Sequence, residues 1–226
     1  MPRVHRTHAQ ARAEMTEGIL RAGRAQLAER GADKLSLREI ARELGVASSA
    51  VYRYVSSRDE LLTILLIDSF TDLANTVDAA LDGSESSPAG QLRTLAESMR
   101  AWALEHPAQW ALLYGSPVAG YSAPETTVSS GIRVMRRVAE ILAQGSRSAS
   151  ASGLSAGYEK ALRDAIEETD LDMDPSTLAE ALVAWMSLVG VISGEVFGQL
   201  GAALAAFGQE SLDQELRSIC QRFALS

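Results

Sequence analysis

LSLREIARELGVASSAVYRYVSSRDELL, residues 35–62, holds two helix starts, a glycine turn and a short helix that ends in aromatic and basic side chains. Ser36 and Glu39 form S-x-x-E, a capping box in which hydroxyl and carboxylate each satisfy an orphan backbone N–H at a helix start. A helix therefore begins at about Leu37. Its apolar positions Leu37, Ile40, Ala41 and Leu44 follow i, i+3, i+4, i+7, which leaves Arg38, Glu39, Arg42 and Glu43 in water. Gly45 ends it, as a residue at home in the left-handed conformation should. Ala47 and Ser48 reopen a helix after about three residues, the spacing of a helix-turn-helix. The second helix is read as Ser48–Tyr54: small at its start (Ser48, Ser49, Ala50), with Tyr52, Arg53 and Tyr54 at its end. Ser57 and Glu60 form another S-x-x-E. Arg58 then stands in a first helical turn, where a cation opposes the helix dipole and is expected to meet an outside anion such as a phosphate. Three amphipathic helices of an unrelated bundle, with Tyr52 and Tyr54 as packing residues, would share some of these signals; their conjunction in order favours the helix-turn-helix.

Charge is divided along the chain. Of its 226 residues, the first 60 carry 11 Lys and Arg against 8 Asp and Glu, a net +3, whereas the whole chain is −8. A positive first quarter can face phosphates while an acidic remainder keeps the molecule soluble. Hydrophobic content of 46% and charged content of 22% are globular values. A single cysteine, Cys220, excludes a disulfide framework, and no apolar run follows the basic start, so a reducing cytoplasm is expected. Three histidines, none beside a plausible nucleophile, and the lack of a Gly-rich phosphate loop or metal spacing argue against an enzyme; no cofactor and no metal is expected.

The segment resembles the DNA-binding domain of the tetracycline-repressor (TetR) family of bacterial regulators. The matching pieces are LSLRE, IARELGV, VYRYV and RDEL, within residues 19–65. Val55 stands where the family usually has Phe, and Arg58 where it usually has Lys. The resemblance implies that Ser36, Arg38, Tyr52, Tyr54 and Arg58 fix register on phosphates, while Ser48, Ser49, Val51 and Arg53 lie nearest the base edges, with Ala47 also on the DNA-binding surface.

Around this centre the chain reads as all-α. Residues 1–13 form a flexible basic arm with Arg3, His5, Arg6, His8 and Arg12, a solvated tail or, by resemblance to family members with N-terminal extensions, an arm that lies along the DNA backbone or reaches into the minor groove. Residues 14–60 form the DNA-binding domain, whose first helix carries Met15, Ile19, Leu20, Gly23 and Leu27 and ends near Gly31. A connecting helix runs to about residue 82, a lever whose tilt would move the recognition helix. GSESSPAG at 83–90 is the expected boundary of a larger helical domain spanning 83–226. In that domain Leu92, Leu95, Met99, Trp102 and His106 share a helical face up to Pro107, a short helix covers 108–114, and Val128, Ile132, Met135, Ala139 and Leu142 mark another. GSRSASASG at 145–153 is low-complexity, a weaker helix covers 156–168, and Pro175 suits the first position of the next.

From Ala181 to Phe207 Glu195 is the single charge among 27 positions. That length spans a bilayer, and Gly190, Gly194 and Gly198 fit small-xxx-small spacing. Glu195, Gln199, the interrupting glycines and the lack of a flanking basic cluster favour a buried helix with the stripe Leu182, Trp185, Val189, Ile192, Val196, and no membrane. Gly190 and Gly194 would let a second helix approach. The last helix shows Leu212, Leu216, Ile219 and Phe223 at the same spacing, with Cys220 beside them.

This half resembles a TetR subfamily with a Trp-x-x-x-His-Gly signature. Trp185 and Gly190 match, and Val189 replaces the histidine. The resemblance implies a homodimer formed by the last two helices, with Trp185, Val189, Ile192, Val196, Leu216, Ile219 and Phe223 at the interface. It also implies a small hydrophobic effector among Trp102, His106, Trp110, Tyr114, Tyr121, Met135 and Trp185, each of which would serve equally as ordinary core. The expected function is a repressor released from a palindromic operator by that effector, with an activator or ligand-independent regulator on the same fold as the alternative.

Overall fold

The computed structural model describes residues 8–83, 87–145 and 153–226. The basic start up to residue 7, three residues of the 83–90 linker and most of the 145–153 run fall outside the described residues. Among the described residues there is no strand, and the helices fall into two compact units.

The first unit comprises the chain up to Phe70 together with Ala108–Thr127. Its helices are α1 (His8–Arg30), α2 (Leu37–Glu43), α3 (Ser48–Tyr52), the first half of α4 (Arg58–Asp82) and α6 (Pro107–Tyr114). Helix α5 (Pro88–Glu105) lies between α4 and α6 in the chain and belongs to the second unit. Ile19, Ala22 and Leu27 of α1, Leu37, Ile40 and Ala41 of α2, Val51 and Val55, and Leu61, Leu62 and Leu65 of α4 make one core. Each fully buried Leu, Ile or Val side chain among them contributes about 1.5–3 kcal/mol. Val55, in the place of the usual Phe, is 3% exposed and part of this core. Gly23 lets α1 and α4 close up, since a Cβ there would stand 3.1 Å from Leu65 Cδ2. A bidentate pair, with Arg24 Nε 2.7 Å and Nη2 2.6 Å from the two Asp68 oxygens, fixes the same two helices.

The boundary at residue 83 is not where compactness divides the chain: the first unit closes at Phe70, inside α4, and reclaims residues 108–127 from beyond the linker. The reason is packing. Ala108, Leu112, Val118 and Tyr121 lie against the α1–α4 core, and the Tyr121 hydroxyl is 2.9 Å from Thr63 Oγ1.

The second unit holds the rest of α4, α5, α7 (Val128–Gly131), α8 (Arg133–Leu142), α9 (Ala156–Thr169), α10 (Pro175–Val196), α11 (Ala202–Ala205) and α12 (Gly208–Phe223). Helix α10 is central and packs on α5, α8, α9 and α12. Pro175 stands at its first turn as the sequence predicts, with Asp174 as N-cap accepting from the backbone N–H groups of Ser176 and Thr177 at 2.9 and 3.0 Å. Its buried face is Ala181, Ala184, Leu188 and Ile192; Leu182, Trp185, Val189 and Val196 are half-buried, so the predicted stripe is displaced by a fraction of a turn. Gly190 is exposed with nothing within 4 Å of where a Cβ would stand, and Gly194 meets only Leu200, so neither admits a second helix of the same protomer.

Among the described residues only helix α10 is long and apolar enough to cross a bilayer, and 44% of its most apolar window is buried in the bundle. The 181–207 run does not continue as one helix: α10 ends at Val196, and Gly198 and Gly201 take φ of +63° and +75°, values open to glycine. Glu195, the lone charge of that run, is held by Arg100 of α5 through two hydrogen bonds of 2.6 Å, and Arg100 Nη1 donates to Gln209 at 3.0 Å. Helix α12 buries Leu212, Leu216, Ile219 and Phe223 as its spacing predicts.

Candidate nucleic-acid interface

The exposed edge of the first unit is built from α2 and α3. Ser36 is the N-cap of α2, extended at φ −139°, and its hydroxyl accepts from Glu39 N–H at 3.4 Å. The reciprocal half of the capping box is not formed. Glu39 pairs with Arg30 of α1, and the Ser36 N–H donates instead to Gln26 Oε1 at 2.9 Å, with Gln26 Nε2 returning a bond to Ser36 O at 3.4 Å. Gln26 is 5% exposed, a buried amide that ties the start of α2 to α1. The α2 end is a Schellman motif: Gly45 N–H to Arg42 O at 3.2 Å, Val46 N–H to Ala41 O at 3.0 Å, with Gly45 at φ +65°.

Val46 and Ala47 then turn the chain into α3, which begins at Ser48 and ends at Tyr52, with Arg53 as its C-cap. Val51 is completely buried and anchors the helix on the core. Against the expectation that it lies nearest the base edges, it has no exposed surface to offer DNA. Its burial turns Ala47, Ser48, Ser49, Tyr52 and Arg53 outward, all exposed, with Arg38 exposed on α2 and Tyr54 half-buried. The small residues let the α3 backbone come close to a partner surface, and Arg53 and Tyr52 supply longer donors.

Arg58 departs from its expected role. Its guanidinium turns back onto the unit: Nη2 donates to Ala32 O at 3.1 Å and lies 3.6 Å from Asp33 Oδ1, and Nη1 is 3.7 Å from Asp59. Asp33 and Asp59 neutralise the charge that the helix dipole would otherwise push outward. The turn before α4 is held by Glu60, which accepts from the Ser56 side chain and backbone, both at 2.6 Å; these bonds hold the Glu60 carboxyl below its usual pKa.

Residues 19–63 match the family description "Bacterial regulatory proteins, tetR family", and residues 92–219 match "Tetracyclin repressor-like, C-terminal domain". An HTH-type transcriptional regulator of Mycobacterium tuberculosis, Rv1816, is 44% identical over 202 residues, covering 85% of each chain. The chain belongs to the TetR family. Among solved structures, the regulatory protein SCO4313 superposes with a TM-score of 0.76 at 29% identity, covering 95% of this chain and 98% of that one. FadR of Bacillus subtilis, in complex with stearoyl-CoA, gives 0.53 at 14% identity, over 89% and 97%. This TetR-family chain is thus a transcriptional regulator with a helix-turn-helix DNA-binding domain, not an enzyme.

The seven residues that the TetR resemblance assigns to an effector fall in both units. In the second, Trp102 is 3% exposed, donates from Nε1 to Asp72 Oδ2 at 2.9 Å and meets the half-buried His106 ring edge-on at 5.1 Å; Met135 and Trp185 are half-buried. His106 is also the C-cap of α5. In the first unit Trp110 is fully buried, 4.5 Å from Tyr114 between ring centroids, and Tyr114 packs edge-on to Phe70 at 6.1 Å, its hydroxyl pKa raised by burial. The first unit also has an open cavity of about 290 Å³ beside Leu27, Ala32, Ala108, Leu112 and Val118, which none of the seven lines.

Of the seven residues assigned to a dimer contact, Ile192, Leu216, Ile219 and Phe223 are buried in the protomer's own core, where they hold α10 and α12 together and have no surface left for a partner. What α10 exposes is Val183, Met186 and Gly190 at i, i+3, i+7, followed by Phe197, with Leu200, Leu204 and Phe207 exposed just beyond. Gln26, Asp72 and the Arg100–Glu195 pair went unmarked by the sequence, because each acquires its partner only through tertiary packing.

Proposed function

We propose that this TetR-family regulator is a homodimeric repressor that holds a pseudo-palindromic operator and lets go when a hydrophobic small molecule binds. The observation that supports DNA reading best is the outward face Ala47, Ser48, Ser49, Tyr52, Arg53, fixed by the complete burial of Val51 between them. In a two-fold dimer two such faces enter successive major grooves about 34–36 Å apart. Arg38, Ser36, Tyr52 and Tyr54 fix register on phosphates; Ala47, Ser48, Ser49 and Arg53 stand against base edges; Arg58 acts indirectly, by holding the Ala32–Asp33 turn. The positive first quarter of the chain supports the same orientation. A regulator that works on its own cell's operator DNA in this way acts in the cytoplasm, which is where this reading puts the protein.

The exposed apolar row Val183, Met186, Gly190, Phe197 supports a dimer through α10, with half-buried Trp185, Val189 and Val196 at its margin. For the effector, Trp102, His106, Met135 and Trp185 are the contacts in the second unit: bulky and mostly apolar, with imidazole and indole N–H as polar handles. Trp110 packs on Tyr114, and Tyr114 against Phe70 and Tyr121 bonded to Thr63 tie segment 108–127 to α4, so a ligand that prefers another setting of that segment lowers DNA affinity by linkage. FadR of Bacillus subtilis holds stearoyl-CoA on this fold, so an acyl-CoA is the first effector class to test. Val189, where the subfamily has histidine, leaves the effector without that imidazole.

The test is binding of the full chain to DNA from just upstream of its own gene at two salt concentrations, then addition of stearoyl-CoA. Saturable, sequence-selective, salt-sensitive binding that a ligand reverses supports the reading. Weak binding equal on scrambled DNA, both here and after selection from random sequence, overturns it.

A further inference from the structure

Helix α1 begins well before its first core residue. Ile19 is the first buried apolar position and Met15 is half-buried, whereas residues 9–14 are exposed at every position. The sequence there, Ala-Gln-Ala-Arg-Ala-Glu, consists of strong helix formers, so the helix persists without a core beneath it. Residues 8–13 are therefore helical rather than a flexible arm.

This extension meets the DNA-reading face. The Arg12 guanidinium carbon lies 5.7 Å from the centroid of the Tyr54 ring, two residues beyond the end of α3. Tyr54 has its other side against the core of the unit. Among the described residues Arg12 pairs with no carboxylate, unlike Arg24, Arg30 and Arg58 of the same unit, which are committed to Asp68, Glu39 and Asp33. An exposed, unneutralised cation laid on an aromatic face keeps its charge for an outside anion, while the ring limits the positions its side chain samples.

We propose that Arg12 is a phosphate contact of the DNA-reading head, positioned by the Tyr54 ring, so that the start of α1 is a third DNA-facing element beside α2 and α3. The proposal rests on the DNA-reading role of the head. Arg12 carries no base preference in this role, since a phosphate is the same at every step of the duplex; its contribution is to affinity on any sequence and to its salt dependence.

The test uses the full chain and a DNA fragment that the wild type binds, titrated between about 0.05 and 0.2 M salt. Arg12→Ala is expected to reduce the slope of log affinity against log salt by about 0.9, and affinity at 0.1 M salt by up to roughly eightfold, equally on operator and scrambled DNA. Arg12→Lys retains most of both. Arg12→Ala made on top of Tyr54→Leu costs less than it does alone; since Tyr54→Leu also removes packing, the slope in the single Arg12 variants decides without it. Arg21→Ala, nine residues on and on the opposite face of α1, is the control for general charge. A slope and affinity unchanged in Arg12→Ala, or a loss matched by Arg21→Ala, overturns the proposal. If Arg38→Ala weakens binding while Arg12→Ala does not, the proposal alone fails; if neither does, the reading of the head has failed with it.

Discussion

Gln26→Leu and Ser36→Ala remove two supports of the same helix start, and the structure ranks them in an order that local capping rules invert. The Gln26 amide accepts from Ser36 N–H at 2.9 Å in a site 5% exposed. Leucine fills similar volume and leaves that N–H without an acceptor, a buried donor whose loss costs about 1–3 kcal/mol. The Ser36 hydroxyl, by contrast, accepts from Glu39 N–H at 3.4 Å, long for a cap, and Glu39 keeps its own pair with Arg30. Its loss falls at the low end for N-caps, about 0.5 kcal/mol. For a chain of this size about 2 kcal/mol lowers Tm by roughly 4–8 °C, and about 0.5 kcal/mol by roughly 1–2 °C. Thermal melts followed by circular dichroism at neutral pH measure both. A Ser36→Ala loss equal to or larger than that of Gln26→Leu would refute the assignment of Gln26 as the group that holds α2.

Arg100→Ala strands the Glu195 carboxylate in a largely buried site and is expected to cost about 3 kcal/mol. Arg163→Ala, which removes an exposed i,i+4 pair with Glu159, should cost no more than about 0.5 kcal/mol; comparable melts for the two would contradict the role given to Glu195. Val51→Ala should destabilise the protein by about 2 kcal/mol, whereas Ser49→Ala should leave the melt in place and weaken DNA binding, as paired denaturation and fluorescence-anisotropy titrations would show. At Asp174, burial, which would raise the carboxyl pKa, is outweighed by bonds from Ser176 and Thr177 that hold it at about 2. A depressed pKa stabilises the fold above the unfolded value of about 3.9 and loses that contribution as pH falls toward 2. The gap in stability between wild type and Asp174→Asn should therefore narrow steadily between about pH 5 and pH 2; a constant gap would show that ionisation plays no part.

What the sequence made legible was local. The start of α2 at Leu37, its end at Gly45 and the Pro175 opening of α10 are written within four or five residues, and all three stand as read. Gln26 was silent because its partner lies ten residues on, across a turn of the chain. The return of residues 108–127 to the first unit was silent for the same reason at longer range. Helix α10 failed differently. Nearly every position from Ala181 to Val196 is apolar or small, so before Glu195 no charged residue marks which side faces out, and the buried phase Ala181, Ala184, Leu188, Ile192 is set by α5, α8 and α12 instead. In α3 the family pattern placed Val51 with the DNA-facing residues, yet a β-branched residue three positions into a five-residue helix is the one that must hold it to the core.

Selection of bound sequences from random DNA by the full chain, at about 0.1 M salt, tests the central claim most directly. If α3 reads the operator, an inverted repeat whose half-sites are centred about one helical turn apart or a multiple of it is enriched, and the enrichment is lost when Ser48, Ser49 and Arg53 are replaced together by alanine. Enrichment of no sequence, or of the same sequence by that triple variant, would contradict the assignment of α3 as the element that reads DNA.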